Sequence, residues 1–342
     1  MPVRKNRLLP LALIAPLYLA SVAHAAEVPV TVDNFVRAES HKFFKRVVER
    51  GGFAKFVHNR DLVPVESQVV IRPNRDTLYS SAVFDLEAGP VTVTLPDAGK
   101  RYFSLMAISE DQYTKGLAYA PGQYRFTRDS VGTRYVLLGI RTLVNPTSAS
   151  DLAQGRALQD AIQVTQEGGS GQFDVPQWNQ ADLNALRGTL LKLASGVSDS
   201  HGMFGQPQDV DPVRHFIGSA SAWGGNPSRD AYYLNVTPTQ NDGHTPYQLE
   251  VKDVPVDAFW SISVYNAEGY FQRNPQNAYA LNNLTAKREA DGRIVVHFGG
   301  CEAQVTNCLP ITAQWNYMVR LYKPQAQVLD GSWQFPLAKP AG

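Results

Sequence analysis

"QVVIRPNRDTLYSSAVFDL" (residues 68–86) is the stretch on which the fold turns. Two apolar runs, "QVVI" and "SAVFDL", have the length and the β-branched content of strands. Between them stand Arg72, Asn74, Arg75 and Asp76. Pro73 biases Arg72 toward extended backbone, and Asn74 or Asp76 can close an Asx turn on the following amides. If Asp76 is buried, its carboxylate must be paired, because an isolated charge in a core costs several kcal/mol. Two roles stay open for the stretch. It is a turn-and-ion-pair network joining strands, or a carboxylate held by arginine and Tyr79 at a cleft, fit to act as acid, base or ligand anchor.

Outward from this stretch the pattern is mostly β. "VTVTLP" alternates, with Val91, Val93 and Leu95 on one face, and "RYFSLMAIS" is apolar on both faces, as in a strand between two layers. "RYVLLGIRTLV" follows. Upstream, "VDNFVRAESHKFFKRVVERGG" reads as an amphipathic helix capped by Asp33 or Asn34 and stopped at Gly51-Gly52, with Val36, Phe43, Phe44, Val47 and Val48 on a shared face. Downstream, "SASDLAQGRALQDAIQVTQ" and "NQADLNALRGTLLKLASG" read as helices. Leu183, Leu186, Leu190, Leu193 and Val197 form a stripe on the second. From about residue 216 strands return: "DAYYLNV", "PYQLEV", "AFWSISVYN", "RIVVHFG" and "WNYMVRLYKP". The expected fold is therefore mainly β with a helical insert: two tandem antiparallel, jelly-roll-like β-sandwiches joined by a helical segment. The divisions are a signal peptide over 1–25, a helix plus β-sandwich over 26–148, a helical connector over 149–215, and a second sandwich over 216–342.

The leader sets the compartment. "MPVRKNR" is a basic start, "LLPLALIAPLYLASV" an apolar core broken by two prolines, and Ala23-His24-Ala25 a cleavage signal before Ala26. Secretion or periplasmic residence follows, and no later run is apolar enough for stable membrane insertion. Loss of Arg4, Lys5 and Arg7 with the leader turns a net charge of +1 slightly negative, which offers nucleic acid and anionic lipid no electrostatic footprint. The two cysteines, Cys301 and Cys308 in "GGCEAQVTNCLP", form one disulfide in an oxidising compartment. Neither a metal site nor a cofactor is expected.

Absent motifs prune the enzyme classes: no G-x-S-x-G elbow, Walker loop, H-E-x-x-H or dinucleotide fingerprint occurs. The histidines are scattered; His297 points opposite Ile294, Val296 and Phe298, and His215 is an outside catalytic candidate. A second constellation joins "AWGGNPSRDAYY" to "VDAFWSISVYNAEGY". Trp223 precedes Gly224-Gly225, where backbone can come close to another group, and Trp260 alternates with Phe259, so that one of them must leave the inner face. Each tryptophan is either sandwich core or a stacking platform for a flat ligand or sugar.

"VVIRPNRDTLYSSAVFDLEAGPVTVTLP" resembles the N-terminal member of a bacterial pair of domains of unknown function, numbered 1254 and 1214. "AWGGNPSRDAYY", "VPVDAFWSISVYNAEGY", "NYMVRLYKP" and "LDGSWQFP" resemble the C-terminal member. The resemblance implies tandem jelly-roll β-sandwiches and no settled reaction. It also implies that Cys308 stands where relatives carry a tryptophan before Leu-Pro, the disulfide replacing that packing.

The expected function is binding, with hydrolysis as the candidate chemistry, of a small or glycan-like ligand in a cleft near the N-terminal motif. Asp76 would be acid or base, Tyr79 a donor, His215 an auxiliary, and Arg72, Asn74, Arg75, Trp223 and Trp260 the ligand contacts. The alternative is a non-catalytic envelope, assembly or adhesion protein in which the motif only joins layers. Exposed sheet edges favour a homo-oligomer.

Overall fold

The computed structural model describes residue 1 and residues 27–341 except positions 69 and 304, so the expected signal peptide and cleavage site lie outside the described residues. The N-terminal half supplies β1 (Val57–Asn59), β2 (Thr77–Asp85), β3 (Val91–Leu95), β4 (Phe103–Ser109), β5 (Thr114–Ala118), β6 (Gly122–Phe126), β7 (Tyr135–Leu143) and β8 (Gln163–Gln166). Five of them form an antiparallel sheet in the order β1-β2-β7-β4-β5, and a smaller sheet runs β6-β3-β8. The alternation read in "VTVTL" is real: Val91, Val93 and Leu95 turn inward and pack with Phe84, Leu105, Val136 and Leu138 of the larger sheet. β4 is buried along its whole length because helices cover its other face, in keeping with its two apolar faces.

The C-terminal half repeats the two-layer plan with β9 (Ala231–Val236), β10 (Tyr247–Val251), β11 (Trp260–Tyr265), β12 (Ala280–Asn282), β13 (Ile294–Phe298), β14 (Cys308–Leu309), β15 (Asn316–Tyr322) and β16 (Lys339–Pro340). One sheet runs β12-β11-β15-β9 and the other β14-β13-β10-β16. Trp260, Ile262, Val296, Phe298, Trp315 and Val319 fill the space between them. Cys301 and Cys308 are disulfide-bonded beside β13, and His297 alternates with the buried Val296 and Phe298. The protein is mainly β, two largely antiparallel sandwiches with added helices, β14 pairing with β13 in parallel.

The helices are α1 (Phe35–Glu49), the short α2 (Arg128–Val131), α3 (Ala149–Asp160), α4 (Gln180–Ala194), α5 (Pro212–Ser221) and the short α6 (Ala326–Leu329). α1, α4 and α5 pack together through Phe35, Ala38, Leu183, Leu190 and Ile217. Asn34 precedes α1 but its side chain accepts from Thr31 N rather than capping the helix; of the expected face Phe44 is buried, with Val47 and Val48 partly buried beside it, and Phe35 and Ala38 are buried in addition. Leu193 in the expected stripe of α4 is exposed.

Four local expectations fail for identifiable reasons. Gln68, Val70 and Ile71 belong to no strand, because their segment is tied across the molecule: Gln68 exchanges two side-chain hydrogen bonds with the backbone of Phe271, and Arg72 N donates to Gly269 O at 2.7 Å. Arg72 is not extended; its φ of 47° is left-handed. The tail of the first connector helix is instead β8, which pairs with β3. Finally, residues 212–221 are helix where strands were expected to return. Asp211 caps this helix by accepting from Arg214 N, and Pro212 takes its first position, where a missing amide hydrogen costs nothing. Among the described residues no helix is long and apolar enough to cross a membrane, and none of their acidic, histidine or cysteine side chains cluster as metal ligands would.

Candidate functional site

The opening motif divides into a part that joins the two halves and a part that faces a cavity. In the joining part, Asn74 Nδ2 donates to Tyr322 Oη at 2.7 Å and Tyr265 Oη donates to the Pro73 carbonyl at 2.8 Å. Asn74 Oδ1 accepts from Asp76 N at 2.6 Å, the local turn expected of this residue. Asp76 is 1% exposed, and its Oδ1 accepts from Asn282 Nδ2 at 3.0 Å. Burial pushes the Asp76 carboxyl above the usual carboxylate range, against the opposing influence of Ser261, Arg320 and Asn282. Neither Arg72 nor Arg75 holds it. Arg75 turns the other way, donating to the Val63 carbonyl and lying over the rings of Tyr279 and Phe271. It borders a separate open groove with Asp61 and Glu66.

Arg72, Asn74 and Tyr79 border a cavity of about 260 Å³ where the larger N-terminal sheet meets β9 and β15 beneath α4 and α5. Strand register builds its polar wall. Tyr79 of β2 is the cross-strand neighbour of Arg141 on β7, and Tyr233 of β9 is the neighbour of Arg320 on β15. Each sheet therefore presents an Arg–Tyr pair to the seam. The Arg141 guanidinium lies 5.7 Å from the Tyr79 ring centre, within the range of a cation–π contact. α4 contributes Arg187, Leu191 and Ala194, and the chain after α5 contributes Trp223, Gly224 and Gly225.

The arginines have neutral partners. Arg141 donates to Asn226 Oδ1 at 2.9 Å and to the Gly224 carbonyl at 2.7 Å. Arg320, 3% exposed, donates to Ser263 Oγ at 2.9 Å, and to the Arg72 carbonyl and Tyr265 Oη at 2.8 Å each. Arg72 makes one long bond, 3.5 Å to Asn316 Oδ1, and its Nε has no partner. Burial lowers the pKa of Arg72, and the charge of Arg320 acts in the same direction. Arg187 differs, because it pairs with the buried Glu39 of α1. Asp199 is the one carboxylate on the wall, and it pairs with Arg214 at 2.5 Å. Burial, first of all, raises the pKa values of Tyr233 and Tyr322, so their hydroxyls are neutral donors at ordinary pH.

The remaining candidates sit elsewhere or act differently. His215 is buried, with Nδ1 3.0 Å from the Met203 carbonyl and Nε2 3.0 Å from the Asp111 carbonyl, and it stacks on Tyr113. It does not reach the cavity. Trp223 does border it, but the indole stacks on Phe43 at 4.4 Å and its N–H donates to Ser40 Oγ at 3.0 Å. Gly224, with φ 76°, and Gly225 let the chain pass against Phe204, whose ring carbon a Cβ on Gly225 would meet at 2.3 Å. Trp260 is sandwich core, packed on Phe335. Phe259 is the residue that leaves the inner face, yet it too is buried, stacked on Tyr322 at 4.0 Å and edge-on to Tyr102 in the seam between the halves. Neither tryptophan is a free platform. Arg141, Tyr233, Arg320 and Tyr322 were missed in the sequence, although a lone arginine within the apolar strands "YVLLGIRTL" and "NYMVRLY" was a usable signal.

Fold and site together define a class: a double β-sandwich whose seam, roofed by helices, holds a partly open cavity of mixed polar and apolar lining. Residues 53–166 match the model described as "Protein of unknown function (DUF1254)" and residues 232–326 the one described as "Protein of unknown function (DUF1214)". The chain belongs to the family that carries these two domains in tandem. Its fold is similar to that of the VPA0106 protein from Vibrio parahaemolyticus, with a TM-score of 0.68 and 18% identity over 91% of this chain and 98% of that one. A putative uncharacterized protein from Burkholderia cenocepacia is similar at a TM-score of 0.54 and 12% identity, over 90% of this chain and 86% of that one. No curated protein matches.

Proposed function

We propose that the protein is an extracytoplasmic small-molecule-binding protein whose ligand occupies the cavity in the seam. One observation carries this. Side chains from both sandwiches and from α4 converge on one partly open cavity of about 260 Å³ with apolar and hydrogen-bonding walls, just under the roughly 300–1,000 Å³ usual for ligand sites. Arg72, Asn74 and Tyr79 of the motif touch the ligand; Asp76 positions the seam behind them. The wall combines arginines and tyrosines with a single carboxylate already committed to Arg214, and its lining includes no histidine or cysteine, which favours binding over hydrolysis. The internal stacking of Trp223 and the burial of Trp260 favour a small ligand over a glycan chain.

The leader and the disulfide support the compartment. N-terminal sequencing of exported protein should begin at Ala26; a start at Met1 argues against export with cleavage. Binding is tested by filling the space. Leu191→Trp should leave circular dichroism unchanged and abolish binding of any small molecule that copurifies with the wild type. Retention of that molecule by a folded variant would remove the cavity from consideration.

A further inference from the structure

We infer that the ligand carries an oxyanion, a carboxylate or phosphate group, which is received by Arg141 and Arg72 with Arg320 behind them. The inference rests on the cavity being the binding site and adds the charge of what enters it. Four arginines and one aspartate face the space. Arg187 is matched by Glu39, and Asp199 by Arg214, which leaves three guanidinium groups. These stay charged at any working pH, and buried charge is ordinarily paired.

Their protein partners cannot supply the missing charge. Every hydrogen bond from Arg141, Arg72 and Arg320 ends on a carbonyl, amide or hydroxyl oxygen. Asp76 acts on Arg320 only through space, and burial works against its own ionisation. Arg141 has used two of its five N–H donors in the bonds described, and Arg72 makes only the 3.5 Å side-chain bond to Asn316 Oδ1. A guanidinium fork with free donors matches the two oxygens of a carboxylate or phosphate, and such charge-assisted bonds are about twice as strong as neutral ones. The neutral hydroxyls of Tyr233 and Tyr322 can donate to the same oxygens. Leu191 of α4 and Phe43 of α1 add apolar lining, and Met318 flanks Arg320 on β15, so the remainder of the ligand is an apolar body.

The test uses the whole mature chain and four probes, measured by calorimetry at fixed ionic strength: benzoate, phenyl phosphate, benzyl alcohol and methyl glucoside. Benzoate or phenyl phosphate should bind and the two neutral probes should not. The preferred member of the first pair tells carboxylate from phosphate. Arg141→Gln should weaken the anion roughly tenfold or more, the equivalent of losing one charged hydrogen bond of about 1.5–3 kcal/mol. Arg72→Gln repeats the measurement if Arg141→Gln does not fold. Leu191→Trp should abolish binding. Neutral probes that bind, are blocked by Leu191→Trp and ignore the arginine variants overturn the oxyanion while leaving the cavity as the site. Anion binding indifferent to all three variants lies elsewhere on the surface and overturns the inference. So does the absence of binding by every probe.

Discussion

Asp76 offers the sharpest test of how the motif holds the two halves together. Its carboxylate accepts from Asn282 Nδ2 at 3.0 Å, is favoured in its charged form by the neighbouring Ser261 hydroxyl, and feels Arg320 without touching it. Asp76→Asn keeps an oxygen for Asn282 and removes both the buried charge and its cost. Because burial dominates and raises the carboxyl's pKa, the two effects oppose, and the change should cost about 1 kcal/mol or less. Asp76→Ala also removes the acceptor and strands a buried amide, which costs about 1–3 kcal/mol. Urea unfolding followed by tryptophan fluorescence should therefore order the proteins wild type, Asn, Ala, with a clear gap before Ala. The pH dependence has a definite sign. A carboxyl whose folded pKa is raised contributes stability that is full below its unfolded pKa of about 3.9 and is lost as pH rises through the folded value. The advantage of wild type over Asp76→Asn should thus shrink from acid toward neutral pH. A loss of about 3–5 kcal/mol for both variants at neutral pH would refute this reasoning and make charge pairing with Arg320 the dominant tie.

Further predictions concern other parts of the fold. Gly225→Ala places a methyl group 2.3 Å from the Phe204 ring and should cost about 1–3 kcal/mol by overpacking, read as a lower urea midpoint; an unchanged midpoint would mean that the ring moves freely. Replacing Cys301 and Cys308 together by serine opens a short loop and should cost about 2–3 kcal/mol, measured by thermal unfolding of the oxidised wild type beside the variant. Asp85 is buried and accepts two hydrogen bonds from Arg134, at 3.1 and 2.8 Å; burial opposes its ionisation, but Arg134 and the Gln172 and Glu87 amides bring its pKa below the usual range. That stability is present above about pH 3.9 and lost as pH falls through the lower folded pKa. Arg134→Gln should therefore be less stable than wild type at neutral pH, and the difference should close as pH falls below the usual carboxylate range; a gap constant with pH would exclude Asp85 as its source.

The β architecture was legible because alternation survives burial on one face, as in Val91, Val93 and Leu95, and because a two-faced apolar run such as β4 needs cover on both sides. Local signals also marked α5, in the Asp211-Pro212 start, although the returning aromatic strands drew attention away from it. What could not be read was long-range. The segment around Val70 leaves strand geometry because its partners are Phe271 and Gly269, about two hundred positions further along the chain. β8 exists because β3 has a free edge to pair with, whatever the preference of "QVTQ". The candidate site followed the same division. Arg72, Asn74 and Tyr79 were visible as a polar cluster, but the register that sets Tyr79 beside Arg141 and Tyr233 beside Arg320 belongs to strands far apart in sequence. Trp260 and Phe259 show why alternation alone misleads: leaving one core exposes a ring only if nothing else packs there, and here Tyr102 and Tyr322 do.

A crystal of the mature protein soaked in 4-bromobenzoate tests the central claim most directly, because bromine locates the probe by anomalous scattering. One bromine peak should appear inside the seam cavity beside Leu191 and Phe43, with the carboxylate density meeting Arg141 and Arg72. An ordered probe bound elsewhere, a vacant cavity at saturating probe, or bromine turned toward Arg141 in place of the carboxylate would contradict it.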